Sequence, residues 1–552
     1  METSQVRLVS ALDKVFPDRE PPRWEGELSG LVGQRGSFQL AARFSRAQSV
    51  RKPLQVRIKT DAQELDAYQV ELVPVSIPAF GVDDDGYLAH YPSLLPDRLE
   101  PLPPSAGGPQ WEFTFERRHI GWQSLWFDLT LPASEVKIEI YEDEQKIESF
   151  DLPVRTIEAS LPPAQIVNTR WFHADSLANV LDVEMWSEQH WKAIEAHLAS
   201  AARMGVNSIL TPLWPLPLDT AVGSYRPATQ LLDIEEREPG VYHFATERAD
   251  RWIDLMVENG ITIVEVPHLF TQWGAKACPA FWIKKDGKVQ RCFGWDTPAS
   301  DPTYKQFLRQ LIPFLRQYLE NKVGSRNAWF HISDEPAAAQ LDSYQVARDI
   351  AMPLLEGCQV IDALSSPAYS ELVQTPVVAV DAVDGFRAKG IEPDWVYYCV
   401  SQNRNVANQF IAQRGARHRL IGLQLYKNQA SGFLHWAFNF YYSQYSKKLI
   451  DPYRDTAAGG GFISGDAFIV YTTAEGGVEE SIRHRMVGAG FDDLATCQFA
   501  QTLIGREQVL EIIDPKGDLD YGNGWMSEGE LLERIQKLHL AIEQALAEGR
   551  PG

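Results

Sequence analysis

From about Gly36 to Ala159 apolar and polar residues alternate in short runs: Ser37–Phe44, Leu54–Lys59, Tyr68–Val75, Leu125–Leu131 and Val136–Tyr141. Stretches rich in Asp, Gly and Pro, at 82–86 and 101–109, separate them. A period of two with turn punctuation and no long helical stripe predicts an antiparallel β-sandwich. Residues Ser160–Ala164, containing Leu-Pro-Pro, read as a stiff linker.

Beyond the linker the rhythm becomes strand, helix, strand, helix. Eight apolar runs occur: Gln165–Phe172, Asn207–Pro212, Ile261–Pro267, Ala328–Ile332, Val360–Leu364, Val377–Val380, Trp395–Val400 and Gly432–Phe438. Trp191–Met204 carries apolar residues at helical spacing and stops before Gly205, a residue suited to the left-handed position after a helix. Tyr304–Leu319 and Tyr344–Leu355 are similar, with Pro313 and Pro353 expected to interrupt them. Eight strand-like runs alternating with helices predict an α/β fold of the (β/α)8 TIM-barrel type. The chain then closes on a helix: Ser527 and Glu530 form a capping box, and Leu531, Ile535, Leu538, Ile542 and Leu546 make one stripe. That stripe suits packing on the barrel exterior or an oligomer contact. The expected division is a sandwich over 1–160, a catalytic barrel over 161–510 and a helical extension over 511–552.

Composition narrows the function. The chain has 552 residues, 44% of them hydrophobic and 23% charged, which suits a core-building protein rather than a disordered one. Its formal charge of −22 repels phosphate, so neither nucleic acid nor an anionic membrane is an expected partner. The stretch Met1–Glu20 mixes charges with short apolar segments and resembles no secretory leader, and no window is apolar enough to span a bilayer, so a cytoplasmic location is expected. The five cysteines are scattered, without CxxC or Cys/His clusters, and no phosphate-binding glycine motif occurs. No metal or cofactor is expected.

The sharpest local feature is Phe330-His331-Ile332-Ser333-Asp334-Glu335-Pro336, at the end of the fourth barrel run. In this fold the C-terminal strand ends hold the active site. Adjacent carboxylates on a regular strand point to opposite faces, so both reach one pocket only if the backbone turns there. Their mutual repulsion favours one protonated and one ionised group, an acid beside an anion. The alternative is an N-cap and first-turn acid of a following helix. The surroundings favour chemistry. His268 and Trp273 follow the third run, Trp295 lies further along, Tyr397 and Tyr398 end the seventh, and Trp436 and Asn439 end the eighth. Aromatic residues at several strand ends suit the apolar face of a sugar ring, with His268, His331 and Asn439 bonding its hydroxyls. Asp219 and Arg226 either close the rim or form a structural ion pair.

Taken together, Thr211-Pro-Leu, His268-Leu-Phe-Thr-Gln-Trp-Gly-Ala, Phe293-Gly-Trp-Asp-Thr, Phe330-His-Ile-Ser-Asp-Glu-Pro, Asp362-Ala-Leu-Ser, Gly432-Phe-Leu-His-Trp and Ser464-Gly-Asp-Ala-Phe-Ile-Val-Tyr form an ordered series. In that order they resemble glycoside hydrolase family 123 and its relatives. The resemblance covers about Trp171 to Leu503 and implies an exo-acting β-N-acetylgalactosaminidase with net retention. It also implies roles: Glu335 as acid and then base, and Asp334 holding the 2-acetamido nitrogen while the acetamido oxygen attacks the anomeric carbon. Tyr471-Thr472-Thr473 departs from the family's Tyr-Pro-Gly. The expected function is thus removal of a terminal β-linked N-acetylhexosamine, GalNAc favoured, from an oligosaccharide or glycoconjugate. The alternatives are a glycosidase for a sugar lacking the 2-acetamido group, and a non-catalytic carbohydrate-binding protein. Homo-oligomerisation is left open.

Overall fold

The computed structural model describes residues 4–44, 53–81, 84, 86–108, 110–336 and 338–549. Of the turns expected at 82–86 and 101–109, residues 82, 83, 85 and 109 lie outside the described residues. The chain divides into two compact units. One comprises Met1–Gln165, Arg404–Asn428 and Glu479–Gly552; the other comprises Ile166–Asn403 and Gln429–Val478. The first boundary falls close to the expected linker. The later segments interleave instead of following in series, so 404–428 and 479–552 group with the N-terminal strands.

The first unit contains two five-stranded sheets. One runs in the order Gln5–Ser10, Arg35–Arg43, Trp122–Thr130, Leu65–Val75, Ser93–Pro101, and the other Leu28–Val32, Gln145–Ser160, Glu135–Glu142, Leu54–Thr60, Gln110–Phe115. The alternating runs supply the inward faces: Phe38, Leu40, Val56, Ile58, Phe113, Phe127 and Ile138 are fully buried in one core. Phe38 stacks on Phe127 with ring centroids 5.1 Å apart. Pairing is antiparallel except where Leu28–Val32 lies parallel to Gln145–Ser160. The C-terminal helix, Glu528–Ala547, starts where Ser527 accepts from the Glu530 backbone N–H at 3.2 Å. It buries Leu531, Ile535, Leu538 and Ile542. Where the barrel exterior was expected, its polar contacts go to the sandwich: Ser29 to His539 at 2.8 Å and Arg155 to Glu543 at 3.0 Å. An amphipathic stripe dictates that a face is buried but not what buries it.

The second unit is the barrel. Its strands, labelled β1 to β8, are Val167–Trp171, Ser208–Leu210, Ile263–Glu265, Ala328–Phe330, Gln359–Leu364, Thr375–Ala379, Trp395–Tyr397 and Gly432–His435. All eight expected runs are strands, each parallel to its neighbours, and β8 closes on β1 with Val167 opposite Gly432. Trp171, Leu210, Ile361, Val377, Trp395 and Leu434 fill the interior. At Gly432 the Trp395 ring lies where a Cβ would stand, only 1.9 Å away, so no larger residue fits this layer. Two helices follow β1, Ala174–Leu181 and Glu188–Arg203, and the second is followed by Gly205 at φ +79°. Pro313 does not interrupt its helix, which runs unbroken over Pro302–Val323; Leu341–Ala351 does end before Pro353.

One element goes beyond the simple barrel. Asp233–Glu238, Val241–Ala245, Phe281–Lys285 and Lys288–Cys292 form a separate four-stranded sheet, whose Tyr242 and Phe244 pack on Phe307 and Phe314 of the long helix. Among the described residues no helix is long and apolar enough to cross a membrane.

Candidate active site

The segment after β4 carries the expected acids. Glu335 has φ +36°, a left-handed conformation that costs a non-glycine residue energy and that clusters at functional sites. The turn is pinned from the β3 side, where the backbone N–H of Trp273 donates to the carbonyl of Asp334 at 2.9 Å. This break in strand geometry brings both carboxylates to one cavity of about 150 Å3. Neither acid caps the next α-helix: a 3-10 turn at Ala338–Gln340 intervenes, and the helix from Leu341 has Gln340 at its N-cap position.

Trp171, Trp273, Tyr397, Trp436, Tyr445 and Phe462 give this cavity aromatic walls, and Asp219, Gln272, Gln444 and Asp466 give it polar ones. Trp273 meets Tyr445 edge-on at 5.7 Å, and Trp436 meets Phe462 at 5.4 Å. The indole N–H of Trp436 donates to Asp466 at 3.0 Å, which fixes the ring plane. Asp219, at φ +39°, accepts from the backbone N–H of Tyr445 at 2.9 Å. Tyr397 donates its hydroxyl to Glu335 Oε1.

Burial governs the protonation of the acids. Desolvation pushes Asp334 well above the ordinary carboxylate range, and the neighbouring Glu335 raises it further, while His331 pulls it down. Glu335 is also raised, by burial first; the Tyr397 hydroxyl works against the shift and Asp381 adds to it. The two titrate as a pair that retains a shared proton above the usual range. Asp219 is raised to about 6 by burial, which its bond from Tyr445 only partly offsets.

Beneath the pair lies a charged layer. His331 is 1% exposed; its Nε2 donates to Glu265 Oε1 at 2.5 Å and its Nδ1 lies 3.5 Å from Asp362 Oδ1. Burial alone would lower its pKa, but the two carboxylates raise it to about 9. Glu265 also accepts from the Trp171 indole at 2.8 Å and from the Thr169 hydroxyl. Asp362 accepts from Tyr344 at 2.6 Å and from the Ile332 backbone at 3.0 Å, yet burial still leaves its pKa raised. His268 stacks on His331 with centroids 4.2 Å apart, and desolvation holds it well below the ordinary histidine range. His268, His331 and Asp362 lie close enough to share a cation. The donor set does not fit one, because Glu265 and Asp362 hold His331 as a cation, whose two ring nitrogens both carry protons and offer no lone pair.

The structure thus gathers Asp334, Glu335, Trp273, Tyr397, Trp436 and Asp219 at one cavity. Six other expected site residues lie elsewhere. His268 and His331 form the buried layer below. Tyr398 follows Tyr397 and so points to the opposite face, fully buried against Phe433 and His435. Asn439 is buried and accepts from the His173 backbone N–H at 2.9 Å, holding β1's exit loop. Arg226 pairs not with Asp219 but with buried Asp175, at 2.8 and 2.5 Å. Trp295 donates to the Ser224 carbonyl at 2.9 Å and lines a different, narrow cleft. Sequence reasoning missed Glu265 and Asp362. Their signal was a carboxylate inside an apolar run, which a buried strand tolerates only with partners. Gln444, Tyr445 and Phe462 come from long loops without a motif.

Comparison with known proteins identifies the family and the fold. The family model described as glycoside hydrolase 123, catalytic domain, matches residues 171–500. No curated protein matches the chain. Among solved structures, a family 123 glycoside hydrolase from Clostridium perfringens superposes with a TM-score of 0.71 at 14% identity, covering 99% of each chain. A β-galactosidase described as putative, from Bacteroides fragilis, reaches only 0.31 at 8% identity, over 87% of this chain and 61% of its own. With a catalytic-domain match over most of the chain, carboxylates at the strand ends of an eight-stranded barrel and a shared fold, this protein belongs to glycoside hydrolase family 123.

Proposed function

We propose that the enzyme removes a terminal β-linked N-acetylhexosamine, GalNAc in preference to GlcNAc, with retention and with the substrate's own acetamido group as nucleophile. The observation that carries this reading is the adjacent pair Asp334 and Glu335, turned into one cavity and both shifted upward in pKa. Neighbouring carboxylates on one short turn suit this chemistry better than direct inversion, which needs a ~6.5–9.5 Å gap with water between the groups.

In the first step the acetamido oxygen attacks the anomeric carbon. The bond to the leaving oxygen breaks, and the proton of Glu335 passes to that oxygen. Asp334 accepts the acetamido N–H and carries the negative charge while the oxazolinium ring exists. Water then attacks the same carbon, gives its proton to Glu335 and reopens the acetamido group. The amide N–H facing Asp334 draws the pair's charge to Asp334 and leaves the shared proton on Glu335. The His331 cation beneath favours the same division.

The first cavity, narrow and walled by Trp171, Trp273 and Trp436, supports the release of a single terminal ring. The Clostridium relative is described in terms of glycolipid glycan hydrolysis, and by that likeness the substrate is a glycan of a glycoconjugate.

Asp219 favours one second reading. It is a third carboxylate at the same cavity, and on a sugar without the acetamido group it would stand as a candidate nucleophile. Aryl β-GalNAc, β-GlcNAc and β-galactoside substrates separate the two. Cleavage of the N-acetylhexosaminides, with competitive inhibition by a thiazoline analogue, is the expected result. Turnover of the galactoside alone overturns it.

A further inference from the structure

A second cavity, of about 500 Å3, lies against Glu335. Glu335, Tyr397 and Ser401 line both cavities, whereas Asp334, Trp171, Trp273 and Trp436 line only the first. A general acid that protonates a glycosidic oxygen stands between the ring being released and the group that departs. Glu335 holds that position between the two cavities. Asp334, whose proposed partner is the acetamido group of the terminal ring, belongs to the first alone.

The two cavities differ in chemistry. The second has no tryptophan. Its polar wall is Ser365, Ser401, Asp381 and Gln402, and the small residues Ala382 and Gly385 widen it. Asp381 is exposed and accepts from Gln402 Nε2 at 3.1 Å; Gln402 is fixed in turn by the backbone N–H of Cys399, which donates to its Oε1 at 3.0 Å. None of the described residues lining this cavity is Lys, Arg or His. Such a wall accepts hydrogen bonds from hydroxyl groups, gives no stacking platform for an aromatic group beyond Tyr397, and repels an anion.

We infer that the second cavity is the leaving-group site and that Asp381 makes it selective for an uncharged, hydroxyl-rich sugar over a carboxylated one. The inference rests on the proposed glycosidase reading with Glu335 as the acid. It adds what that reading leaves out: the direction in which the leaving group lies and the charge it carries.

The test uses two disaccharides with the same β-linked terminal N-acetylhexosamine, whichever the aryl panel selects. In one it is joined to galactose and in the other to galacturonic acid. The full-length enzyme should show a higher kcat/KM on the galactose compound. Asp381→Asn should narrow the ratio between the two about fivefold, the size of one like-charge contact near a surface. Because a ratio is compared, any effect of Asp381 on the acidity of Glu335 affects both substrates alike and cancels. Gly385→Lys should narrow it as well. A Cβ at Gly385 meets nothing within 4 Å, so a side chain can start there without a clash at the backbone. A ratio unchanged in both variants, with the aryl N-acetylhexosaminide still cleaved, overturns the inference and leaves the proposed function standing. Loss of aryl N-acetylhexosaminide cleavage in the unmodified enzyme overturns both.

Discussion

His331 lies nearly flat against His268, with ring centroids 4.2 Å apart and planes 24° from parallel, yet the two histidines are held in opposite protonation states. Glu265 and Asp362 raise His331 to about 9, while desolvation holds His268 well below the ordinary range. The cation stacks on a neutral ring, which avoids the repulsion of two charged imidazoles.

This makes stability depend on pH with a definite sign. A histidine whose folded pKa is raised contributes stability that is complete below its unfolded value of about 6.5 and is lost as pH rises through about 9. His331→Gln should therefore lower Tm most at pH 6 and least near pH 9.5. Thermal melts of both proteins across that range check it. A Tm difference that stays constant with pH would mean that His331 is not charged in the fold.

The acids should behave in the opposite way to supporting residues. Asp334→Asn and Glu335→Gln should each reduce kcat by on the order of 10²–10⁴, the range for removing a positioned acid or base. Asp334 has a raised folded pKa, so its stabilising contribution is lost as pH rises from about 4 upward. Replacing it by the neutral amide should then raise Tm at pH 7 by a few degrees, the usual exchange of stability for function. A variant both inactive and less stable would place Asp334 among the structural groups.

Tyr397 acts through Glu335. Its hydroxyl donates to the carboxylate and opposes the upward shift caused by burial. Tyr397→Phe removes that donor, so the pKa of Glu335 should rise and the alkaline limb of the kcat/KM profile should move to higher pH. Activity at the optimum should fall about tenfold, because the acid is then no longer held in one rotamer. An unmoved limb with lower activity would indicate loss of wall contact alone.

Much of the fold was legible because buried parallel strands read as continuous apolar runs. All eight barrel strands announced themselves in that way. The four-stranded sheet beside the barrel did not. Its strand Asp233–Glu238 reads Asp-Ile-Glu-Glu-Arg-Glu, and one buried residue, Ile234, is too little pattern to set against five polar ones. At the site, the pair Asp334 and Glu335 was legible from its place at a strand end. The division of labour between adjacent residues was not: Tyr397 faces the cavity and Tyr398 the core because of strand alternation, and the sequence alone does not say which parity holds. The histidines misled for a related reason. His268 and His331 stand close enough to the mouth to look like ligands, but they serve the layer that carries the acids.

Arg226 supplies the last separation of structure from function. Its guanidinium is fully partnered on one edge by Asp175, 51 residues away in the chain, and its Nη2 also meets His173 Nδ1 at 3.0 Å. Both members of the ion pair are buried. Arg226→Met leaves Asp175 as a buried charge without its partner, a change that costs about 3–5 kcal/mol. Asp219, which the sequence allowed as the arginine's partner, keeps an acceptor for the Tyr445 N–H when changed to Asn and loses only a desolvated charge. Asp219→Asn should therefore hold or raise Tm while raising KM, and Arg226→Met should lower Tm steeply. Differential scanning calorimetry beside initial-rate kinetics checks both. If Arg226→Met instead melts like the unmodified chain, the structural assignment of the Arg226–Asp175 pair is wrong.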